Sequence, residues 1–196
     1  MTAPTGRRER KKAATRQNIA DTALRLFLER GYDAVGIRDV ATEADIAVTT
    51  LFAHFPSKEA LVFAHDTDFE HRLTSAVTDR SPDEPLIPLL RNEIQAMVAH
   101  CTAEGAAPIY RMIDQSPTLR QYEQSMRLRH ADSLATAIAA TLGNPPDPTP
   151  CRAIARFVID AYSLGRDSST PEATVNEVFR MIEAAWAVGS TGATKI

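Results

Sequence analysis

Three residues, Ala44, Asp45 and Ile46, constrain this chain more than any others, because they divide two short apolar-periodic segments and leave no room for a loop. Upstream, Ile37, Val40, Ala41 and Ala44 fall at i, i+3, i+4 and i+7, the stripe of an amphipathic helix of about two turns. Downstream, Leu51, Phe52 and Phe55 repeat the spacing. The chain must turn sharply between them, and aspartate is one of the few residues besides glycine that tolerates a left-handed backbone. Two short helices across so tight a turn predict a helix-turn-helix, whose second helix can enter a major groove of DNA.

A two-helix unit of this size cannot bury enough apolar surface to stand alone, so its flanks must supply the rest. Upstream, Ile19, Ala23, Leu26 and Phe27 form a stripe that ends at Gly31, a natural helix stop. Downstream, Ser57 is a good N-cap after Pro56, and Val62, Phe69, Leu73, Ala76 and Val77 continue one face of a long fourth helix.

These residues also carry a family pattern. Thr15, Ile19, Ala23, Leu26-Phe27, Gly31-Tyr32, Ile37, Val40-Ala41, Ala44, Ile46, Thr50-Leu51-Phe52, His54-Phe55, Ser57-Lys58-Glu59 and Leu61 follow one another without gaps. In this the chain resembles the N-terminal signature of TetR-family regulators, over roughly residues 12 to 62, and so many spaced positions make the match specific. It departs from that pattern at Gly36, where the family has Ser or Thr, at Asp45 (Gly), at Ala47 (Ser or Thr) and at Phe52 (Tyr). Gly36 and Ala47 therefore lack oxygens that would cap the second and third helices or reach a phosphate, while Phe52 keeps the ring and loses the phenolic donor.

Charge is informative only when the chain is divided. The net charge is −3, which by itself does not suggest nucleic acid. Residues 1 to 60, however, carry ten Lys and Arg against eight Asp and Glu, and the remainder carries twelve against seventeen, so basic character is kept for the end with the helix-turn-helix. Arg7, Arg8, Arg10, Lys11, Lys12 and Arg16 crowd behind a flexible arm that should lie along phosphates or in the minor groove. Cys101 and Cys151 form no CxxC pair, which fits reduced thiols, and no apolar run approaches the ~20 residues that span a bilayer. A cytoplasmic protein without membrane association is the expectation.

Past the fourth helix, Asp79 to Pro88 holds three prolines and reads as a hinge. Ile87, Leu90, Ile94, Met97, Val98 and Cys101 mark a fifth helix, which Gly105 to Pro108 breaks before a short segment from Ile109 to Gln115. Ser116-Pro117, Thr149-Pro150 and Thr170-Pro171 each place proline in a first helical turn, where it gives up no hydrogen bond. The last two helices are apolar on more than one face, so one face should meet the protomer core and the other a partner. Phe157, Ala161, Tyr162, Gly165, Phe179, Ile182 and Trp186 are the residues expected at that partner contact, with Ala161 and Gly165 small enough for close approach.

The resemblance implies an all-α fold of about nine helices: a basic arm (1–11), a three-helix DNA-binding domain (12–60), a helical ligand-binding and dimerisation domain (61–190) and a tail (191–196). It implies operator DNA as partner, a homodimer made through a four-helix bundle of the last two long helices, and a small-molecule effector. Mapped onto matching positions, Arg38, Val48, Thr49 and Ala53 face base edges beside Phe52, while Thr50, His54 and Lys58 hold phosphates. An apolar effector pocket would draw on Phe69, Met97, Tyr110, Tyr122, Met126 and His130, whose Met and aromatic character suits a hydrophobic or amphipathic ligand. The alternative is a ligand-independent or architectural DNA binder on the same scaffold. His65, Asp68 and His71 could share a helix face, and His100 and His130 read as core or pocket residues, but no metal-ligand spacing, GxSxG, P-loop or GxGxxG is present. No catalytic role, metal or cofactor is expected.

Overall fold

A computed structural model describes residues 6–64, 66–102 and 106–192, and among these every regular element is an α-helix. The ten helices are α1 (Arg7–Arg30), α2 (Ile37–Glu43), α3 (Val48–His54), α4 (Glu59–Val62), α5 (Asp66–Thr78), α6 (Leu86–Thr102), α7 (Ala107–Gln115), α8 (Pro117–Thr141), α9 (Thr149–Arg166) and α10 (Pro171–Gly192). They group into two compact units, residues 1–65 with 108–120, and residues 66–107 with 121–196. The first unit thus runs to residue 65, where the DNA-binding domain was expected to end at residue 60, and it also takes in α7 and the start of α8.

The first unit is built on α1. Ile19, Ala23, Leu26 and Phe27 are at most 1% exposed, and so are Val40 of α2, Leu51 of α3, Leu61 of α4, and Phe55 just after α3. Each of these side chains larger than alanine contributes on the order of 1.5–3 kcal/mol by leaving water. Phe27 and Tyr32 meet edge to face with centroids 5.2 Å apart, which closes the chain over the end of α1 after Gly31. Gly31 itself sits at φ 86, a conformation that glycine adopts without cost.

Two boundaries differ from expectation here. α1 begins at Arg7, so Arg7 to Lys11 are helical, not part of a flexible arm; residues 1–5 lie outside the described ones. Arg, Lys and Ala are strong helix formers, and the Glu9 carboxylate accepts the Gly6 N–H at 3.1 Å. The long fourth helix is two helices, for α4 is a single turn and the chain turns at Phe63 and Ala64 before α5. Arg16 accounts for part of that turn, since its Nη2 donates to the Ala64 carbonyl at 3.4 Å.

In the second unit α6, α9 and α10 pack on one another and α5 packs on α6. Leu90, Ile94, Leu134, Ala155, Val158, Val175 and Phe179 form its fully buried centre. Arg91 of α6 pairs with Glu183 of α10 at 3.3 Å, and Gln95 bonds Asn176 at 2.9 Å, fixing the crossing of those helices. The proline starts are present with one shift. Ser116 Oγ accepts from the Leu119 N–H at 3.4 Å and α10 opens at Pro171, but Thr149 lies inside α9 and Asp147 accepts its N–H at 2.9 Å. α10 continues to Gly192, past the start of the expected tail, and 193–196 lie outside the described residues.

Four of the residues assigned to a partner contact are instead interior. Ala161, Phe179 and Ile182 are at most 1% exposed, and Gly165 is buried. A Cβ on Gly165 would stand 2.6 Å from Val175 Cγ2 and 3.2 Å from Val98 Cγ2, so its small size serves the packing of α9 against α10 and α6. Tyr162 and Trp186 are half-buried against the same core. Phe157 alone of the seven is open, at 50% exposure, with Leu164 (53%) and Met181 (66%) also outside.

Candidate nucleic-acid interface

The turn between α2 and α3 is made by backbone hydrogen bonds that require a left-handed residue. Asp45 supplies it at φ 54, as the sequence predicts. The Ile46 N–H reaches back to the Ala41 carbonyl at 2.9 Å and the Asp45 N–H to Thr42 at 3.1 Å, the two bonds of a Schellman ending. Asn18 of α1 donates to the Ala44 carbonyl at 3.3 Å and ties the turn to the scaffold. At the start of α2, glycine has no capping oxygen, yet the Asp39 carboxylate accepts the Gly36 N–H at 2.7 Å and restores half of a capping box. Ala47 starts α3 without a side-chain cap.

α3 is thereby held with two contrasting sides. Leu51 and Phe55 are fully buried. Thr49, Phe52 and Ala53 are exposed, Phe52 to 49%, and Val48 and Thr50 are half-exposed at the edges. Arg38, in the first turn of α2, is also exposed. Seven residues of helix are about 10 Å long, which a major groove about 12 Å wide admits.

The end of α3 is anchored by a residue that the sequence pattern places among basic-arm candidates. Arg16 Nη1 donates to the His54 carbonyl at 2.5 Å, and its guanidinium lies 4.1 Å from the Phe55 ring centroid. Its position three residues before Ile19, on the core stripe, is the signal that distinguishes it from its basic neighbours. His54 Nδ1 is buried without a hydrogen bond. Lys58, assigned to a phosphate, is engaged inside the unit: its Nζ donates to the Tyr32 carbonyl at 2.5 Å and sits 4.1 Å from the Tyr32 ring. Burial pushes the Lys58 ammonium below its usual range. Tyr32 in turn donates to Glu59 Oε1 at 3.2 Å, and burial together with the Glu59 charge holds its phenol well above the ordinary value.

The residues assigned to an effector are only partly brought together. Phe69 of α5 stacks on His130 of α8 with centroids 5.2 Å apart and meets Tyr162 of α9 edge to face at 4.7 Å. Tyr162 Oη lies 2.9 Å from Cys101 Sγ, and His130 Nε2 lies 3.9 Å from a Glu70 oxygen. Met97, Met126 and His130 are 4–6% exposed, whereas Tyr122 lies beneath Arg129 with 6.0 Å from centroid to guanidinium. Tyr110 belongs to the stretch that groups with the N-terminal unit. An open depression of about 390 Å³ at the start of α10, lined by Thr170, Pro171, Glu172, Ala173 and Asn176, involves none of them.

The second unit also holds a buried ion pair that apolar periodicity could not reveal. Arg166 and Glu123 side chains are 7% and 12% exposed and bonded to each other, and Arg166 Nε reaches Asp167 at 2.8 Å. Burial alone would lower the guanidinium's affinity for its proton, but Asp167 and Glu123 reverse that and raise it. Among the histidines, His71 shares a hydrogen bond with Ser75 Oγ at 2.9 Å, and His100 is exposed, contrary to the core or pocket role expected of it. His65 lies outside the described residues, as does the side chain of Asp68. Both cysteines are free thiols, and no described helix is long and apolar enough to cross a membrane.

Comparison with known proteins agrees with this geometry. Residues 19–65 match the family model described as bacterial regulatory proteins, tetR family. Against the HTH-type transcriptional repressor KstR of Mycolicibacterium smegmatis, 45% of 67 residues are identical, a stretch spanning 34% of this chain and 32% of that protein. Against KstR of Rhodococcus jostii the identity is 29% over 182 residues, 92% of this chain and 76% of the relative. Salmonella enterica GusR shares the fold, with a TM-score of 0.57 at 18% identity over 88% of this chain and 95% of that one. The outward face of α3, the Schellman turn before it and the matched residues 19–65 give the N-terminal unit the helix-turn-helix described for bacterial regulatory proteins of the tetR family.

Proposed function

We propose that the protein is a transcriptional repressor that binds a pseudo-palindromic operator as a homodimer and is released by a small hydrophobic or amphipathic effector. The observation that carries the DNA reading is the two-sidedness of α3, with Leu51 and Phe55 fixed in the core and Thr49, Phe52 and Ala53 left outside. Arg38 takes the bidentate contact to guanine, and Val48 or the Thr49 methyl packs on a thymine methyl. Thr50 and His54, at the edges of the same face, hold phosphates.

Two subunits would join through the apolar residues left open on α9 and α10, Phe157 and Leu164 on one helix and Met181 with Ala184 and Ala185 on the other. The effector would bind in the second unit around Phe69, His130 and Tyr162, with Met97, Tyr122 and Met126 nearby in sequence pattern. It acts by favouring one spacing of the two α3 helices over the other, since a ligand with equal affinity for both shifts nothing.

Selection from random duplexes with full-length protein tests this reading. A pseudo-palindrome should be enriched, with half-sites one or more helical turns apart, about 34 Å each. On that duplex Arg38→Ala should cost about 1–3 kcal/mol and relax preference at one base pair. Failure to enrich any sequence would sink the reading.

A further inference from the structure

We infer that α3 reads its half-site through methyl groups and not through hydrogen bonds, so that it recognises the C5-methyl of a pyrimidine, on thymine and on 5-methylcytosine alike. The inference rests on the operator-binding reading above and names the base chemistry which that reading leaves open. Thr49, Phe52 and Ala53 stand at i, i+3 and i+4 and make one stripe along the helix. All three are exposed, Phe52 to 49%. The threonine methyl, the phenylalanine ring and the alanine methyl are each suited to apolar contact with a pyrimidine methyl in the major groove.

From Val48 to Ala53 the helix carries no Arg, Lys, Asn, Gln, Asp or Glu, the side chains that tell bases apart by their donor and acceptor pattern. Two cations at its C-terminal end are engaged inside the unit. Arg16 donates to the His54 carbonyl at 2.5 Å, and Lys58 donates to the Tyr32 carbonyl at 2.5 Å. Thr49 and Thr50 have hydroxyls, but a hydroxyl can donate or accept and so favours neither pattern. Hydrogen-bonded reading of a base is thereby left to Arg38 on α2.

Thymine presents a methyl beside the O4 acceptor, whereas cytosine presents the N4 amino donor and no methyl. 5-Methylcytosine joins the donor of cytosine to the methyl of thymine. A surface that sensed donors and acceptors would group it with cytosine, and the stripe of Thr49, Phe52 and Ala53 groups it with thymine. Methylation of a cytosine at such a position therefore raises affinity, and occupancy of the operator responds to the methylation state of the DNA.

The test is base replacement in the selected duplex, with full-length protein. Deoxyuridine removes the methyl of thymine and keeps its hydrogen-bonding groups. At one or more thymines of a half-site it should weaken binding about fourfold, as expected for one methyl returned to water. At those positions cytosine paired with guanine should bind at least as weakly, and 5-methylcytosine paired with guanine should come back to within about twofold of thymine. T49S/F52A removes a methyl and a ring from two exposed positions. Assayed at low salt to keep it bound, it should no longer distinguish deoxyuridine from thymine at one or more of those positions. Deoxyuridine bound as well as thymine throughout would overturn the inference while leaving operator binding intact. It would also be overturned by 5-methylcytosine bound no better than cytosine, which would show reading of O4. A deoxyuridine penalty undiminished in T49S/F52A would do the same, by placing its cause in the duplex. A wild-type protein without sequence preference would instead remove the operator reading on which the inference stands.

Discussion

Arg16 shows how much of the first unit can depend on one side chain. Its fork spans two carbonyls, His54 at 2.5 Å and Ala64 at 3.4 Å, and its flat face covers Phe55. A lysine has one charged point and no planar face. Arg16→Ala should therefore cost about 2 kcal/mol in urea unfolding, and Arg16→Lys should recover less than half of that. Full recovery by lysine would show that charge alone matters. Glu59 makes a second residue-scale prediction. Burial would raise its pKa above the ordinary 4.5, but the Ser57 hydroxyl, backbone, Tyr32 phenol and Lys58 together bring it below. A carboxyl depressed in the folded state adds stability that is present above pH 4.5 and lost as pH falls through the folded value. Urea midpoints should thus drop on acidification below that range, and Tyr32→Phe, which removes one of the stabilising donors, should make the drop shallower. A drop of the same size in Tyr32→Phe would contradict the contribution of that bond.

Elements were legible in the sequence wherever a local rule sufficed, and obscure wherever two elements had to meet. The spacing of Ile37, Val40 and Ala41, then Leu51 and Phe55, predicts both short helices, and the left-handed Asp45 follows from the lack of any other way to turn. Asp45→Gly should accordingly stabilise the protein by about 0.5–1 kcal/mol, because glycine adopts that backbone without strain; a loss of stability would mean that the aspartate side chain bonds locally to greater effect. What no periodicity could show is which apolar face meets which neighbour. Gly165 and Ala161 look, on one helix, like a surface made for close approach to another subunit. Gly165 does provide close approach, but to Val175 and Val98 of the same chain, and Ala161 is fully buried. Gly165→Ala should therefore destabilise the protomer by about 1–3 kcal/mol, seen as a lower urea midpoint at unchanged protein concentration dependence. Lys58 was obscured for the same reason: its place in the family pattern marks a phosphate contact, and only the fold brings the Tyr32 carbonyl within its reach.

At the scale of the whole molecule, the proposed function requires two copies of α3 to act on one duplex. On the last two helices the large apolar residues left outside are Phe157 and Leu164, seven residues apart on one face of α9, and Met181, followed by Ala184 and Ala185, on one face of α10. Their neighbours at Phe179 and Ile182 are already consumed by the core, so substituting the open residues separates association from folding in a way that substituting the buried ones cannot. In the proposed dimer, F157E/M181E places two charges at the joint without emptying any core position. The variant should sediment as a monomer at micromolar concentration and keep its helical circular dichroism. Each α3 would then bind one half-site alone, and affinity for the full palindrome should fall by about a hundredfold or more, while affinity for an isolated half-site is preserved. Were the variant to remain dimeric, the joint would have to lie on another face, and the exposed residues of α9 and α10 would need a different occupant.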